Sequence, residues 1–155
     1  MADVQDSPGA RRKLHELNSL TNLDIPGWDG SLMPFEEFEQ WVCGAAWYRP
    51  AGQLIAADGD TWVGLAAVQL LPEKQGAYNL TTGVLRSHRG RKIALALKLL
   101  AIRYARSQGA RHLDTNNDSL NAPMLAINKK LGYRPQPGKY SLVKVRYEAQ
   151  GNNAA

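Results

Sequence analysis

Residues 81–100 read TTGVLRSHRGRKIALALKLL, an apolar, β-prone run that meets a basic loop and then turns into a long amphipathic helix. Thr81, Thr82, Val84 and Leu85 suit a pleated surface, and Gly83 among them marks a bulge or a close backbone approach. Residues 88–94, HRGRKIA, then place backbone N–H groups and the cations Arg89, Arg91 and Lys92 where the helix starts. Unpaired amides and the helix dipole both favour an anion at such a place, and a pyrophosphate is a natural guest. A basic turn taken alone is more often a solvated helix start, so the rest of the chain has to support the assignment.

A chain of 155 residues with 44% hydrophobic content builds one core and leaves little for a second domain. One domain is therefore expected over residues 1–148, with 149–155 as a disordered tail. The formal charge of +5 favours acidic partners, which include phosphate-bearing coenzymes, nucleic acid and anionic membrane. Cys43 is the only cysteine, so neither an intrachain disulfide framework nor a thiolate cluster for a structural metal is available, and no metal is expected. The polar N-terminus MADVQDSP and the lack of a bilayer-length apolar stretch predict a cytoplasmic protein with no membrane partner.

Ser7 and Pro8 have the form of an N-cap followed by a first helical proline, and Leu14, Leu17, Leu20 and Leu23 recur at helical spacing behind them, with His15 on the surface. Residues 21–33 carry turn chemistry and read as a loop; Ile25, Trp28 and Met33 are candidates for a pocket wall. Pro34 starts a helix with Phe35, Phe38, Trp41 and Val42 on one face. Gln53–Ala57 and Thr61–Leu71 flank an Asp58-Gly59 hairpin turn, and Ala77–Leu85 returns as a third strand of an antiparallel meander. The helix from about Arg91 to Ser107 places Ile93, Leu97, Leu100 and Tyr104 on one stripe and Lys98, Arg103 and Arg106 elsewhere. A short strand at Arg111–Thr115, a helix from Pro123 to Gly132 and a last strand at Tyr140–Tyr147 complete an α+β architecture.

In motif and order together these residues resemble the GNAT acetyltransferase superfamily. Its strand, basic glycine-containing loop and helix bind acetyl-coenzyme A (acetyl-CoA). Arg89 and Ala94 fill the outer positions of the family's loop, and Gly90 follows Arg89 as it often does there. The resemblance implies an α+β fold with a central, mostly antiparallel mixed sheet flanked by helices. It implies acetyl-CoA as co-substrate and an amine acceptor. The cofactor contacts it implies are Val84, Leu85, Arg89, Gly90, Arg91, Lys92, Ile93 and Ala94 from the first motif, with Asn121, Met124 and Asn128 before Leu131-Gly132-Tyr133 from the second. An N–H of Val84 or Leu85 is the candidate to polarise the thioester carbonyl.

Three departures from the family pattern stand out. Lys92 occupies the place of a loop glycine. Asn128 occupies the place where many members carry the tyrosine that protonates the departing thiolate, and an amide is no proton donor at neutral pH. Catalytic candidates are thus Asn128, Tyr133 and Thr81, with a water chain held by Asn79, Thr81 and Thr82 in place of a carboxylate base. Finally, the family's first strand is missing ahead of the first helix. The chain resembles the C-terminal half of tandem acetyltransferase proteins, and a second copy or another partner is expected over the open sheet edge.

Two other readings predict different behaviour. A nucleic-acid module built on Arg86, Arg89, Arg91 and Lys92 predicts steep salt dependence, but the run lacks the interleaved aromatic residues of single-strand binders. A catalytically silent acetyltransferase-like domain that binds a partner predicts weak or absent cofactor binding.

Overall fold

Ser7 accepts a hydrogen bond from the Ala10 N–H at 3.2 Å and Pro8 supplies the pre-set first turn, which starts helix α1, Pro8–Asn22. The computed structural model describes residues 6–138; the strand expected at Tyr140–Tyr147 and the tail at 149–155 lie outside them. Helix α2, Phe35–Phe38, runs into a π-helical turn, Glu39–Cys43, and is followed by strands β1, Gln53–Asp58, β2, Thr61–Leu71, and β3, Gly76–Val84. Helix α3, Ile93–Ser107, strand β4, His112–Thr115, and helix α4, Ala122–Lys130, complete the described chain.

The four strands lie in the order β1-β2-β3-β4. The first three form the expected antiparallel meander, with Gly59 at φ 57° in its first turn, where a residue without Cβ is unstrained. β4 pairs parallel to β3 after a crossover through α3, so the sheet is mixed. Among the described residues no strand precedes α1, and β1 has no strand neighbour on its outer edge.

Helices cover both faces. α3 buries Leu97, Ala101 and Ala105 against Leu54, Ala66, Val68, Ala77 and Val84. On the other face, Leu14 and Leu17 of α1 and Phe38 of α2 meet Cys43, Tyr48, Ile55 and Leu65. Each fully buried side chain of leucine or phenylalanine size contributes about 1.5–3 kcal/mol, so the first layer holds α3 on the sheet and the second holds α1 and α2.

Several expectations are corrected. Leu20 and Leu23 are exposed, and Thr21 takes the buried place, its hydroxyl donating to the Leu17 carbonyl at 2.9 Å. The reason is the close approach foreseen at Gly83: a Cβ there would lie 2.4 Å from the Thr21 Cβ, so only glycine admits α1 at this point. The bulge itself lies elsewhere, where the register shifts between Ala67 and Val68. Trp41 is exposed because the wider π-helical turn carries it outward and brings Cys43 inside. His15 keeps a half-exposed surface position and also packs there, 2.7 Å from the Met33 carbonyl and against the rings of Phe35 and Phe38. α3 begins at Ile93 instead of Arg91, since Lys92 has the left-handed φ of 63°.

Candidate active site

β4 ends at Thr115, opposite Asn79, whereas β3 continues to Val84. Beyond Asn79 the backbone of β3 therefore has no strand partner on that side among the described residues. The Leu85 N–H donates to the Val63 carbonyl at 2.9 Å and is spent on β2. This corrects Leu85 as the source of a polarising N–H. Because successive residues of a strand direct their amides to opposite edges, Val84 and Thr82 face the gap. A cavity of about 220 Å³ occupies it, with Thr81, Thr82, Lys98, Asn121, Met124 and Ile25 in its wall.

A buried polar group closes the inner end. Asn79, 1% exposed, donates from its amide to the carbonyls of Ala67 at 3.0 Å and Thr81 at 2.8 Å, which fixes its Oδ1 toward α3. That oxygen accepts from the Thr82 hydroxyl at 3.0 Å and from Lys98 Nζ at 2.9 Å. Lys98, placed off the apolar stripe by its charge, is 1% exposed, and burial pushes its pKa down to about 8. Its ammonium also stands 5.2 Å from the centroid of the Tyr133 ring. Tyr133 has its hydroxyl buried without a partner among the described residues, and desolvation pushes its pKa up to about 12. Asn128, 7% exposed, donates to Asn117 Oδ1 at 2.6 Å and leaves its own Oδ1 unpartnered among the described residues. Asn121 caps α4 by accepting from the Met124 N–H at 3.3 Å, which turns that helix toward the cavity.

The basic loop follows β3, and its Arg91, Lys92 and Ile93 line a second hollow of about 610 Å³ with Ala57, Asp58 and Val63. Gly90 has φ 76° and open space around it, and Lys92 turns the chain into α3. The first helical bond, from the Ala96 N–H to the Lys92 carbonyl at 3.1 Å, leaves the amides of Ile93 and Ala94 without an acceptor inside the helix. Arg89 donates from Nε to the Val84 carbonyl at 3.1 Å and from its terminal nitrogen to Asp24. Arg86 reaches the same carboxylate, Nε to Oδ1 at 2.6 Å. The Arg86 guanidinium, with Arg89 beside it, holds Asp24 below the usual carboxylate range. Arg91 and His88 turn instead to Asp58, at 3.4 and 3.5 Å.

Thr81, Asn121 and Met124 thus line one cavity with Lys98, and Tyr133 and Asn128 touch its wall residues Lys98 and Asn117, whereas Arg91, Lys92 and Ile93 lie in a separate hollow beside Ala57 and Asp58. Of the proposed wall residues only Ile25 lines the cavity; the Trp28 indole donates to the Ser31 carbonyl at 2.9 Å. Sequence reasoning missed Lys98 and the contribution of Asn117 and Asp118 to the wall. A signal for Lys98 was present: Ala94, Lys98, Ala101 and Ala105 form a second helical stripe of mainly small residues, three of whose members are buried.

The Acetyltransferase (GNAT) family model matches residues 14–133, and the chain belongs to that family. Comparison with curated protein sequences gives no match. Among solved structures the fold is similar to a ribosomal-protein-alanine N-acetyltransferase from Brucella melitensis, with TM-score 0.66, 19% identity and coverage of 81% of this chain and 80% of that one. It is similar to the putative acetyltransferase yncA from Salmonella typhimurium, solved with its cofactor acetyl-CoA, with TM-score 0.65, 16% identity and coverage of 81% and 75%. A GCN5-related N-acetyltransferase from Sphaerobacter thermophilus matches with TM-score 0.64 and 23% identity over 81% of this chain but 38% of its own.

Proposed function

We propose that the chain transfers the acetyl group of acetyl-CoA to a primary amine. The observation that carries this reading is the departure of β3 from β4 after Asn79, beside a helix start with free amides and basic side chains. Residues 89–94 supply charge and N–H groups for the pyrophosphate, and the Val84 amide pairs with the pantetheine or polarises the thioester carbonyl. Asn121 and Met124 form the opposite wall of the cavity. The unpartnered, buried Oδ1 of Asn128 is an acceptor that a bound molecule can satisfy. Thr81 and Thr82 present hydroxyls to the cavity and hold a water chain that removes the proton of the incoming amine.

Calorimetric titration with acetyl-CoA, followed by a panel of small amines and peptide N-termini, tests the proposal. Saturable binding with release of free thiol is expected. Binding without turnover on any amine would favour a silent partner-binding domain, and no binding at millimolar ligand would overturn the reading altogether. Retention on nucleic acid that falls steeply with salt, without acyl-CoA binding, would favour the basic module. The lack of a strand neighbour on the outer edge of β1 among the described residues supports a further expectation, that a second copy or a neighbouring domain completes the sheet. A monomeric mass by light scattering would remove the second copy.

A further inference from the structure

We propose that Lys98 donates the proton taken up by the departing coenzyme A thiolate, a duty that falls to tyrosine in many members of the family and cannot be met by Asn128. The assignment rests on the acetyltransferase reading.

Three observations lead to it. First, a lysine is buried to 1% exposure in the wall of the cavity with, among the described residues, one hydrogen-bond acceptor, Asn79 Oδ1. An ammonium has three N–H groups, so donors remain for the cavity and the Tyr133 ring face. Second, no carboxylate neutralises it among the described residues. Asp118 in the cavity wall accepts from the Leu120 N–H at 2.7 Å, and Asp114, beside Tyr133, lies 3.8 Å from His112. Burying an unpaired cation works against folding, and an ammonium placed at the reacting end of a donor site gives that cost a use. Third, the alternatives are poor acids: Asn128 is an amide, and burial raises Tyr133 to about 12. Lys98, at about 8, lies close to the value of about 8.5 for an ordinary thiol, so proton exchange between them is nearly balanced.

The step conserves atoms and charge. The neutral amine nitrogen bonds to the acetyl carbon and the carbon–sulfur bond breaks with its electron pair on sulfur. A Lys98 Nζ proton passes to that sulfur, and the proton shed by the newly acylated nitrogen restores the ammonium through the water chain.

The test reads the thiol itself. Free coenzyme A, titrated by thiolate absorbance in its complex with the wild-type chain, is expected to ionise at lower pH than in solution, because a neighbouring ammonium favours the thiolate. In Lys98→Met, of similar length, that depression should vanish while coenzyme A still binds. Acetyl transfer should fall about 100-fold or more in kcat, with the deficit shrinking for an acetyl thioester whose thiol is more acidic. An unperturbed thiol in the wild-type complex would overturn the assignment even if the variant failed to fold. So would an equal depression in both proteins. Failure of the wild-type chain to bind coenzyme A would overturn the acetyltransferase reading itself and this assignment with it.

Discussion

Lys98 makes folding stability depend on pH in a predictable direction. Its ordinary pKa of 10.5 is pushed down to about 8 in the folded state by desolvation, and no opposite charge compensates among the described residues. Below about pH 8 both folded and unfolded chains carry the proton, and the folded state bears the full cost of the buried charge. Between about 8 and 10.5 the unfolded chain holds more protons, so stability rises with pH; above that range both are neutral and the cost is gone. At about 1.4 kcal/mol per pH unit, the depression sets a ceiling of about 3 kcal/mol. Lys98→Met removes the titration but keeps the length, and the Thr82 hydroxyl at 3.0 Å still serves Asn79 Oδ1. The wild-type chain should therefore gain up to about 3 kcal/mol on the variant between about pH 7 and pH 11. Urea unfolding of both proteins across that range measures the gap, and contributions from groups that do not touch Lys98 cancel in it. A gap independent of pH, or one that moves in the variant's favour, would refute the burial argument.

Gly83→Ala should destabilise the chain by about 1–3 kcal/mol, since the new methyl group meets Thr21 with little room to move; an unchanged urea midpoint would mean that α1 is not seated there. Lys92→Gly should stabilise by up to about 1 kcal/mol, because φ 63° costs a lysine and not a glycine, and thermal unfolding would show it. Arg89→Ala should weaken coenzyme A binding about tenfold or more, the scale of a lost charge-assisted hydrogen bond, while a phosphate-free pantetheine fragment loses little in calorimetry. Equal losses for the two ligands would place the pyrophosphate elsewhere.

The meander was legible because its turn residues and alternating strands obey local rules: Asp58-Gly59 and Pro72 mark the turns, β2 falls on its expected residues, β1 gains Asp58, and β3 begins and ends one residue earlier. The loop and the cap of α4 were legible for the same reason, since Gly90 and Asn121 act through their own backbone neighbourhood. Trp41 and Leu20 misled because helical spacing assumes regular α geometry and a flat partner. A π-helical turn breaks the first assumption and the Gly83 notch the second. Lys98 was hidden for a different reason. Charge is the strongest single predictor of exposure, and among the described residues its hydrogen-bond acceptor is Asn79 on β3, nineteen positions away in sequence. The pairing of Asp24 with Arg86 and Arg89, across more than sixty positions, left no local trace either.

The parallel pairing of β4 with β3 also bears on the order of assembly. β1, β2 and β3 join through short turns, so their contacts close small loops, whereas Asn79 finds Thr115 only after α3 has folded across the sheet. Our hypothesis is that the meander forms early and β4 docks last; pulsed hydrogen exchange showing amides of β4 protected before those of β1 would contradict it. In that order the basic loop exists before the cavity does. On the proposed reading a partly folded chain would hold a phosphate before it could place a thioester, and acyl transfer would wait for the longest-range strand pairing of the described fold to close.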